Sequence, residues 1–302
     1  MFYRWKKRWA KNRFYRLTTG ILTTPPMPVV DAPWTIMSMV SNSDAQMYIL
    51  AMKSFYARIK RGKLTVIVDR DMPASIRGTL EQHFPGIRFA ILEDIDTGPC
   101  QRGGTWERLL YVLDHSRDEY TIQLDADTLT FGDISEVIHC VEDNVSFTLS
   151  NAGMPIAPML DIVPISRAND SNYIGIVAER LFDQYPGAEK LKYVQGSSGF
   201  CGYAQGGIAR KEIETFHIEG EKLLGARWRE WGTEQSASNF AVANSKNAVT
   251  LPYPKYGNFA PGGYEPGGAF LHFIGSFRYD QDYFAKLARR IIGELNAGNS
   301  RR

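Results

Sequence analysis

Between Trp34 and Leu124, short apolar runs alternate with segments of helical period, and this alternation constrains the fold more than any other feature of the chain. Leu64-Thr-Val-Ile-Val68 is the clearest run, suited to a strand buried on both faces. Residues 34–40, 87–92 and 120–124 read as further strands, with helices over 45–59, 73–83 and 106–115 between them. Strand–helix alternation of this kind builds a mostly parallel sheet covered by helices on both faces. Ligands of such sheets bind outside the carboxyl ends of the strands. Asp125 lies at such an end.

With 302 residues, the chain is expected to form one α/β domain with insertions. Hydrophobic residues at 44% and charged residues at 23% exclude disordered and fibrous classes. Cys100, Cys140 and Cys201 are far apart and lack C-x-x-C spacing, which argues against a disulfide framework or thiolate zinc site and for a reducing compartment. No apolar run is long enough to span a bilayer, and the N-terminus lacks the apolar core of a signal peptide.

The net charge of +2 hides an asymmetry. Residues 1–16 hold seven cations and no acid; without them 28 basic residues face 33 acidic ones, a body near −5. Phe2, Trp5 and Trp9 would share one face of a helix, ringed by cations. Such a segment suits the headgroup region of an anionic membrane. The plainer alternative is a helix packing its aromatics on the body. Nucleic acid is not an expected partner, because nothing else along the chain looks like a reader of bases. Residues 23–33 read as a linker, and 282–296 as a packed terminal helix. Beyond residue 140 the alternation loosens. Residues 151–170, with three prolines, and 256–268, with five glycines and two prolines, read as substrate-shaping loops and a mobile lid, or as plain surface loop.

Asp-x-Asp occurs four times, at Asp69/Asp71, Asp94/Asp96, Asp125/Asp127 and Asp280/Asp282. Context separates them. Asp125 and Asp127 follow a strand, and side chains two apart on extended chain point the same way, so the pair can share a hard divalent cation. Asp69/Asp71 leads into a helix start, where capping by Asp71 explains it. The other two pairs lack a supporting apolar run.

Read in order, Leu124-Asp-Ala-Asp-Thr128, Gly132-Asp133-Ile134, Thr233-Glu-Gln235 and Leu271-His-Phe-Ile-Gly275 resemble the GT-A glycosyltransferases. Among these they look most like glycosyltransferase family 8, the retaining group with glycogenin and the bacterial lipopolysaccharide galactosyl- and glucosyltransferases. The resemblance covers roughly residues 34–280. It implies a single GT-A (Rossmann-like) α/β domain there, after a basic aromatic segment and linker at 1–33 and before an amphipathic helix and tail at 281–302. It also implies transfer of a hexose from a nucleotide-sugar, with UDP-hexose expected, to a cell-surface glycan or glycolipid acceptor. The protein is then expected in the cytoplasm, peripherally attached to the inner membrane through residues 1–16.

The resemblance assigns Asp125, Asp127 and His272 to Mn²⁺ or Mg²⁺, and an imidazole among carboxylates favours Mn²⁺. Ala126 lies between the two carboxylates, and Gly275 would let backbone approach the phosphates. Arg278 stands where the family has Lys-Pro-Trp and would neutralise the leaving diphosphate; here Tyr279-Asp280 replaces Pro-Trp. Glu234 and Gln235 match the family's Asp-Gln, with Gln235 near the anomeric carbon and Glu234 on sugar hydroxyls. Were the enzyme inverting, Glu234 would be the general base. Their plainer reading is a helix start capped by Thr233.

Arg108 matches a family arginine, and Gln195–Phe200 the strand beside the donor sugar, with Ser197 where Asn is usual. Val40 and Ser41 occupy the nucleotide-binding start, followed by Asn42 where the family has Asp. Trp231, Trp228 and Tyr203 are candidate acceptor platforms. Two rivals stay open. One is a haloacid-dehalogenase-like phosphotransferase using Asp125 as nucleophile, and the other is a non-catalytic sugar-nucleotide-binding protein on the same fold.

Overall fold

The computed structural model describes residues 2–261 and 268–297, and the side chains of all of these but 2–4, 6 and 276. In chain order the elements are α1 (Phe2–Thr18), β1 (Trp34–Met39), α2 (Ala45–Ile59), β2 (Lys63–Val68), α3 (Ala74–His83), β3 (Arg88–Ile91), α4 (Trp106–Ser116), β4 (Tyr120–Leu124), β5 (Thr128–Thr130), α5 (Ser135–Glu142), β6 (Phe147–Ser150), β7 (Ala157–Pro158), α6 (Met159–Arg167), α7 (Ile174–Glu179), β8 (Lys192–Tyr193), β9 (Gly196–Tyr203), α8 (Arg210–Leu224), α9 (Thr233–Asn244), β10 (Val249–Thr250), β11 (Tyr256–Asn258), β12 (Phe270–His272) and α10 (Tyr283–Ala297). The strands and helices expected between Trp34 and Leu124 all form, within two residues of the expected ends. Contacts divide the chain into two compact units: residues 1–93, 124–135 and 254–302, and residues 94–123 and 136–253.

In the first unit β1 pairs in parallel with β2, and β2 with β3. Ile36, Met37, Leu64, Val66 and Ile67 are all fully buried, so both faces of these strands are covered. A small second sheet sets β12 parallel to β11 and antiparallel to β5. Ser54 of α2 accepts the Thr130 backbone N–H at 3.0 Å and so seats β5 on that helix. Asp71 does not cap α3: the cap position is Pro73, and the turn before it closes from the Met72 N–H to the Asp69 carbonyl at 3.0 Å.

Residues 23–33 carry little regular structure, yet they are tied down along their length. Lys53 is fully buried and donates to the Thr24 hydroxyl (2.8 Å) and to the Thr24 and Pro25 carbonyls (3.3 and 2.6 Å). Met27 and Val29 N–H groups bond the His83 and Pro85 carbonyls, each at 2.8 Å. The segment is a strap laid on the body, because its prolines leave carbonyls that need donors and Lys53 supplies them. Helix α1 also packs on the body. Phe14 meets Phe284 of α10 with ring centroids 4.4 Å apart, and Arg13 pairs with Asp282 at 2.8 Å. The packed terminal helix expected at 282–296 is present, burying Phe284, Ala285, Ala288 and Ile291.

In the second unit the strands run in the order β10-β6-β9-β4, with β10 parallel to β6 and β6 antiparallel to β9. The core includes Trp106, Trp228 and the stacked pair Phe216–Phe240, 4.4 Å between centroids. The loop expected over 151–170 is partly helical: α6 forms despite Pro164, which lies inside it. Met159, Ile162 and Val163 bury one side of that short helix, and this burial outweighs the hydrogen bond the proline cannot make. Of the lid expected over 256–268, residues 262–267 lie outside the described residues, and Tyr256–Asn258 is strand β11.

Candidate metal centre and a buried polar cluster

The chain leaves β4 at Leu124 and enters β5 at Thr128, so Asp125–Asp127 form a turn and not the extended run expected. The Thr128 hydroxyl donates to the Asp125 carbonyl at 2.8 Å and closes that turn. Ser38 of β1 donates to the Leu124 carbonyl at 2.6 Å and fixes its entry. On the far side, the Phe273 N–H donates to the Asp127 carbonyl at 2.8 Å, and Thr128 sits in register with His272. Pairing of β5 with β12 therefore delivers His272 to the carboxylates. It needs close backbone approach at Gly132, where a Cβ would come within 2.8 Å of Ala269 Cα.

Ligating atoms of Asp125, Asp127 and His272 lie within 4.8 Å of one another. Among the described residues this is the group of three that could hold a cation, which none of the other Asp-x-Asp pairs achieves. Asp282, for example, is engaged by Arg13. Asp127 is 7% exposed, and its Oδ1 lies 3.3 Å from His272 Nε2. Its other oxygen accepts a hydrogen bond from Arg278, whose Nε donates to the Phe273 carbonyl at 3.1 Å. Burial alone would raise the Asp127 carboxyl, but His272 and Arg278 together hold it below the ordinary carboxylate range.

His272 Nδ1 lies 3.0 Å from Asn258 Oδ1. An amide oxygen can only accept, so Nδ1 donates to Asn258 and Nε2 is the ring nitrogen turned toward Asp127. The donor set is two carboxylates and an imidazole with its second nitrogen anchored, which fits a hard to borderline divalent cation. Sequence reading missed Asn258. Its role depends on the β11–β12 pairing that puts Asn258 opposite His272.

Elsewhere in this unit, Val40 is buried with its N–H on the Ile67 carbonyl at 2.9 Å, and Ala126 is buried. Ser41 is exposed and donates to Asp44 Oδ2 at 2.7 Å. Asp44 is thus the carboxylate of the loop after β1, two residues beyond the Asn42 that stands where one was expected. Gly275 has φ 30° and open space beside it, so it is favoured by backbone conformation and not by crowding.

Arg108, Glu234 and Gln235 belong to the second unit. Arg108 of α4 and Glu234 of α9 are both buried and paired at 3.3 Å. Thr105 and Ser198 hydroxyls also donate to Glu234 Oε2, at 2.9 and 3.2 Å. Gln123 of β4 donates to the Ser198 carbonyl, and Gln235 to the Gly196 carbonyl at 3.4 Å. Thr233 does not cap α9: Gly232, at φ 111°, is the cap residue, and Thr233 accepts instead from the Trp106 indole at 3.1 Å.

Of the three aromatic platforms expected, two are corrected. Trp228 and Tyr203 are buried, with polar ends on His217 (3.0 Å) and Ser238 (2.6 Å), because an indole N–H or phenol inside a core needs a partner. Trp231 is 72% exposed, its ring 6.4 Å from Tyr173. The three cysteines are free thiols and buried.

No family model and no curated protein sequence matches the chain. Solved structures do. The galactosyltransferase LgtC in complex with donor and acceptor sugar analogs is similar at a TM-score of 0.51 and 15% identity, over 87% of this chain and 95% of that one. The apo structure of the bifunctional glycosyltransferase WbbM matches at 0.54 and 14%, over 89% of this chain. The apo glycosyltransferase GlyE of Streptococcus pneumoniae matches at 0.50 and 13%, also over 89%. This chain spans 53% of the WbbM chain and 64% of the GlyE chain. At these identities the likeness shows the fold, which is GT-A: a mostly parallel mixed sheet flanked by helices.

Proposed function

We propose that this protein is a divalent-cation-dependent glycosyltransferase that moves a hexose from a nucleotide-sugar, UDP-hexose in the first instance, to a glycan acceptor. The observation that carries the reading is the Asp125–Asp127–His272 cluster with Arg278 against it, in a chain of GT-A fold. The phosphotransferase alternative is not favoured, since four strands precede the aspartates and the fold is that of glycosyltransferases.

Asp125, Asp127 and His272 would hold Mn²⁺ or Mg²⁺, which would neutralise charge on the departing nucleoside diphosphate. Arg278 brings a second cation to the same carboxylate and can turn to a phosphate oxygen. Ala126 and Gly275 keep the approach free of bulk. Gln235 is the residue proposed beside the anomeric carbon, and Glu234 the hydroxyl-binding partner. An arginine and two hydroxyls already engage Glu234, which suits it to binding and not to taking the acceptor proton. This supports retention over an inverting mechanism with Glu234 as base.

The acceptor is proposed to be a membrane-attached cell-surface glycan, reached from the cytoplasmic leaflet through α1. Trp5 and Trp9 are 74% and 57% exposed beside exposed Arg8 and Arg16, an arrangement suited to anionic headgroups.

Nucleotide-sugars screened with and without Mn²⁺ by thermal denaturation test the reading. One at about 100 times its Kd should stabilise the fold by about 2.7 kcal/mol, a shift of a few degrees, and chelation should abolish it. Slow release of UDP from the stabilising sugar would then separate an enzyme from a binder. No stabilisation by any nucleotide-sugar with Mn²⁺ or Mg²⁺ would overturn the proposal.

A further inference from the structure

Helix α1 has two faces with different partners. Trp5, Arg8, Trp9, Asn12 and Arg16, spaced three or four residues apart, form an exposed stripe. Lys11, Phe14, Tyr15 and Thr18 repeat the same spacing on the other side and meet the body. The Tyr15 phenol donates to the Ser43 carbonyl at 2.8 Å and lies 3.1 Å from Asp44 Oδ1. Lys11 Nζ lies 3.3 Å from Ser43 Oγ and 3.6 Å from Asp44 Oδ1. Gln46, at the start of α2, donates back to the Tyr15 carbonyl at 2.8 Å and to Thr18 Oγ1 at 2.9 Å. The loop after β1 is thus held from the helix side.

The same face of α1 reaches the segment that carries Arg278. The Phe14 ring lies 5.4 Å from that of Tyr279, next in sequence to the arginine that bonds Asp127. Arg278 and Tyr279 also both feel the charge of Asp44. Asp44, Tyr15, Tyr279, Arg278 and Asp127 are therefore one continuous neighbourhood, and α1 supplies its outer wall.

We infer that α1 is a wall of the donor site and not a separable anchor, with Tyr15 and Lys11 positioning the Ser41–Asp44 loop for the donor nucleotide. The inference rests on the glycosyltransferase reading above. One face of the helix addresses the membrane while the other sets the loop, so the two activities separate by point substitution and not by truncation. Deleting residues 1–16 removes Phe14, Tyr15 and Arg13 from their partners and costs donor binding along with any membrane contact.

Titration calorimetry of UDP with Mn²⁺ on the full chain, its Tyr15→Phe, Lys11→Ala and Lys11→Arg variants, and the double variant Trp5→Ala/Trp9→Ala tests this. Tyr15→Phe should weaken UDP binding about tenfold, the scale of one lost hydrogen bond. Lys11→Ala should weaken it less, with Lys11→Arg restoring it, and the tryptophan variant should bind as the parent does. In donor hydrolysis Tyr15→Phe should raise KM and leave kcat near the parental value, with the melting temperature lowered by no more than a few degrees. Hydrogen exchange of residues 40–46 in the cation-free protein should quicken in Tyr15→Phe while residues 120–130 stay unchanged. Parental UDP affinity in Tyr15→Phe overturns the inference while leaving the function standing. A parent protein that binds no UDP overturns the proposed function, and this inference with it.

Discussion

Asp127 is shared between His272 and Arg278: one carboxylate oxygen faces the imidazole at 3.3 Å, and the other accepts from the guanidinium. The residue is at once a candidate cation ligand and the counter-charge of a partly buried arginine. Asp127→Ala should therefore abolish cation-dependent donor turnover. It should also cost about 2 kcal/mol of stability without any cation, because a partly buried arginine loses its partner. Denaturant unfolding and donor hydrolysis measure the two effects. Near-normal Mn²⁺-dependent turnover in the variant would sink the assignment of the site.

Asn258→Ala tests the anchor behind the imidazole. With no acceptor for Nδ1–H, His272 loses its fixed tautomer, and Mn²⁺ affinity should fall about 10–100-fold. Paramagnetic titration of free Mn²⁺ reads this directly. Unchanged affinity would mean that Asn258 does not orient the ring.

Gly132→Ala places a methyl 2.8 Å from the Ala269 backbone, where no flexible side chain can yield. The strands must part, costing about 1–3 kcal/mol, and Mn²⁺ binding should weaken although no ligand has changed. A variant with parental stability and affinity would show that β5 and β12 tolerate separation.

The legibility of these features in the sequence follows from what each depends on. β2 was visible because a strand buried on both faces is apolar at nearly every position. The aspartates and His272 could be chosen through their order along the chain. Asn258 could not: an asparagine near a histidine means nothing until β11 and β12 pair in register. Asp44 is not singled out by the sequence, because the resemblance puts the carboxylate of that loop at position 42. Helix α6 was hidden by Pro164, whose local preference is overruled by burial of its neighbours. Trp228 and Tyr203 read like Trp231 in sequence, since exposure is a property of the packed chain.

His83 gives a pH dependence. Burial first, and then the charge of Lys53, push its imidazole down to about 4, so the folded state holds it neutral. A depressed histidine costs nothing above its unfolded pKa near 6.5. Stability is lost as pH falls from there, reaching roughly 3 kcal/mol by pH 4. His83→Gln should remove that part of the acid loss, measured as denaturant midpoints at pH 7 and pH 4.5. An acid slope identical to the parent's would contradict the sign.

Exposed cations on α1 predict salt-sensitive partitioning onto anionic vesicles. Arg8→Glu/Arg16→Glu should reduce binding to phosphatidylserine-containing vesicles at least about tenfold at low salt, with the melting temperature unchanged, since neither side chain is buried. Equal binding by parent and variant would remove the membrane from the account of α1.

Arg278 meets Asp127 across 151 positions of chain. At roughly 5–20 residues per second, a ribosome delivers the arginine about eight to thirty seconds after the aspartate. Throughout that interval the nascent chain carries both carboxylates without the imidazole or guanidinium that completes their surroundings. A cation or donor nucleotide then cannot template the early stages of folding. The first unit must assemble on strap, helix and sheet contacts alone, and loss of the last fifty residues in a truncated transcript would leave a chain with its aspartates present and its centre never formed.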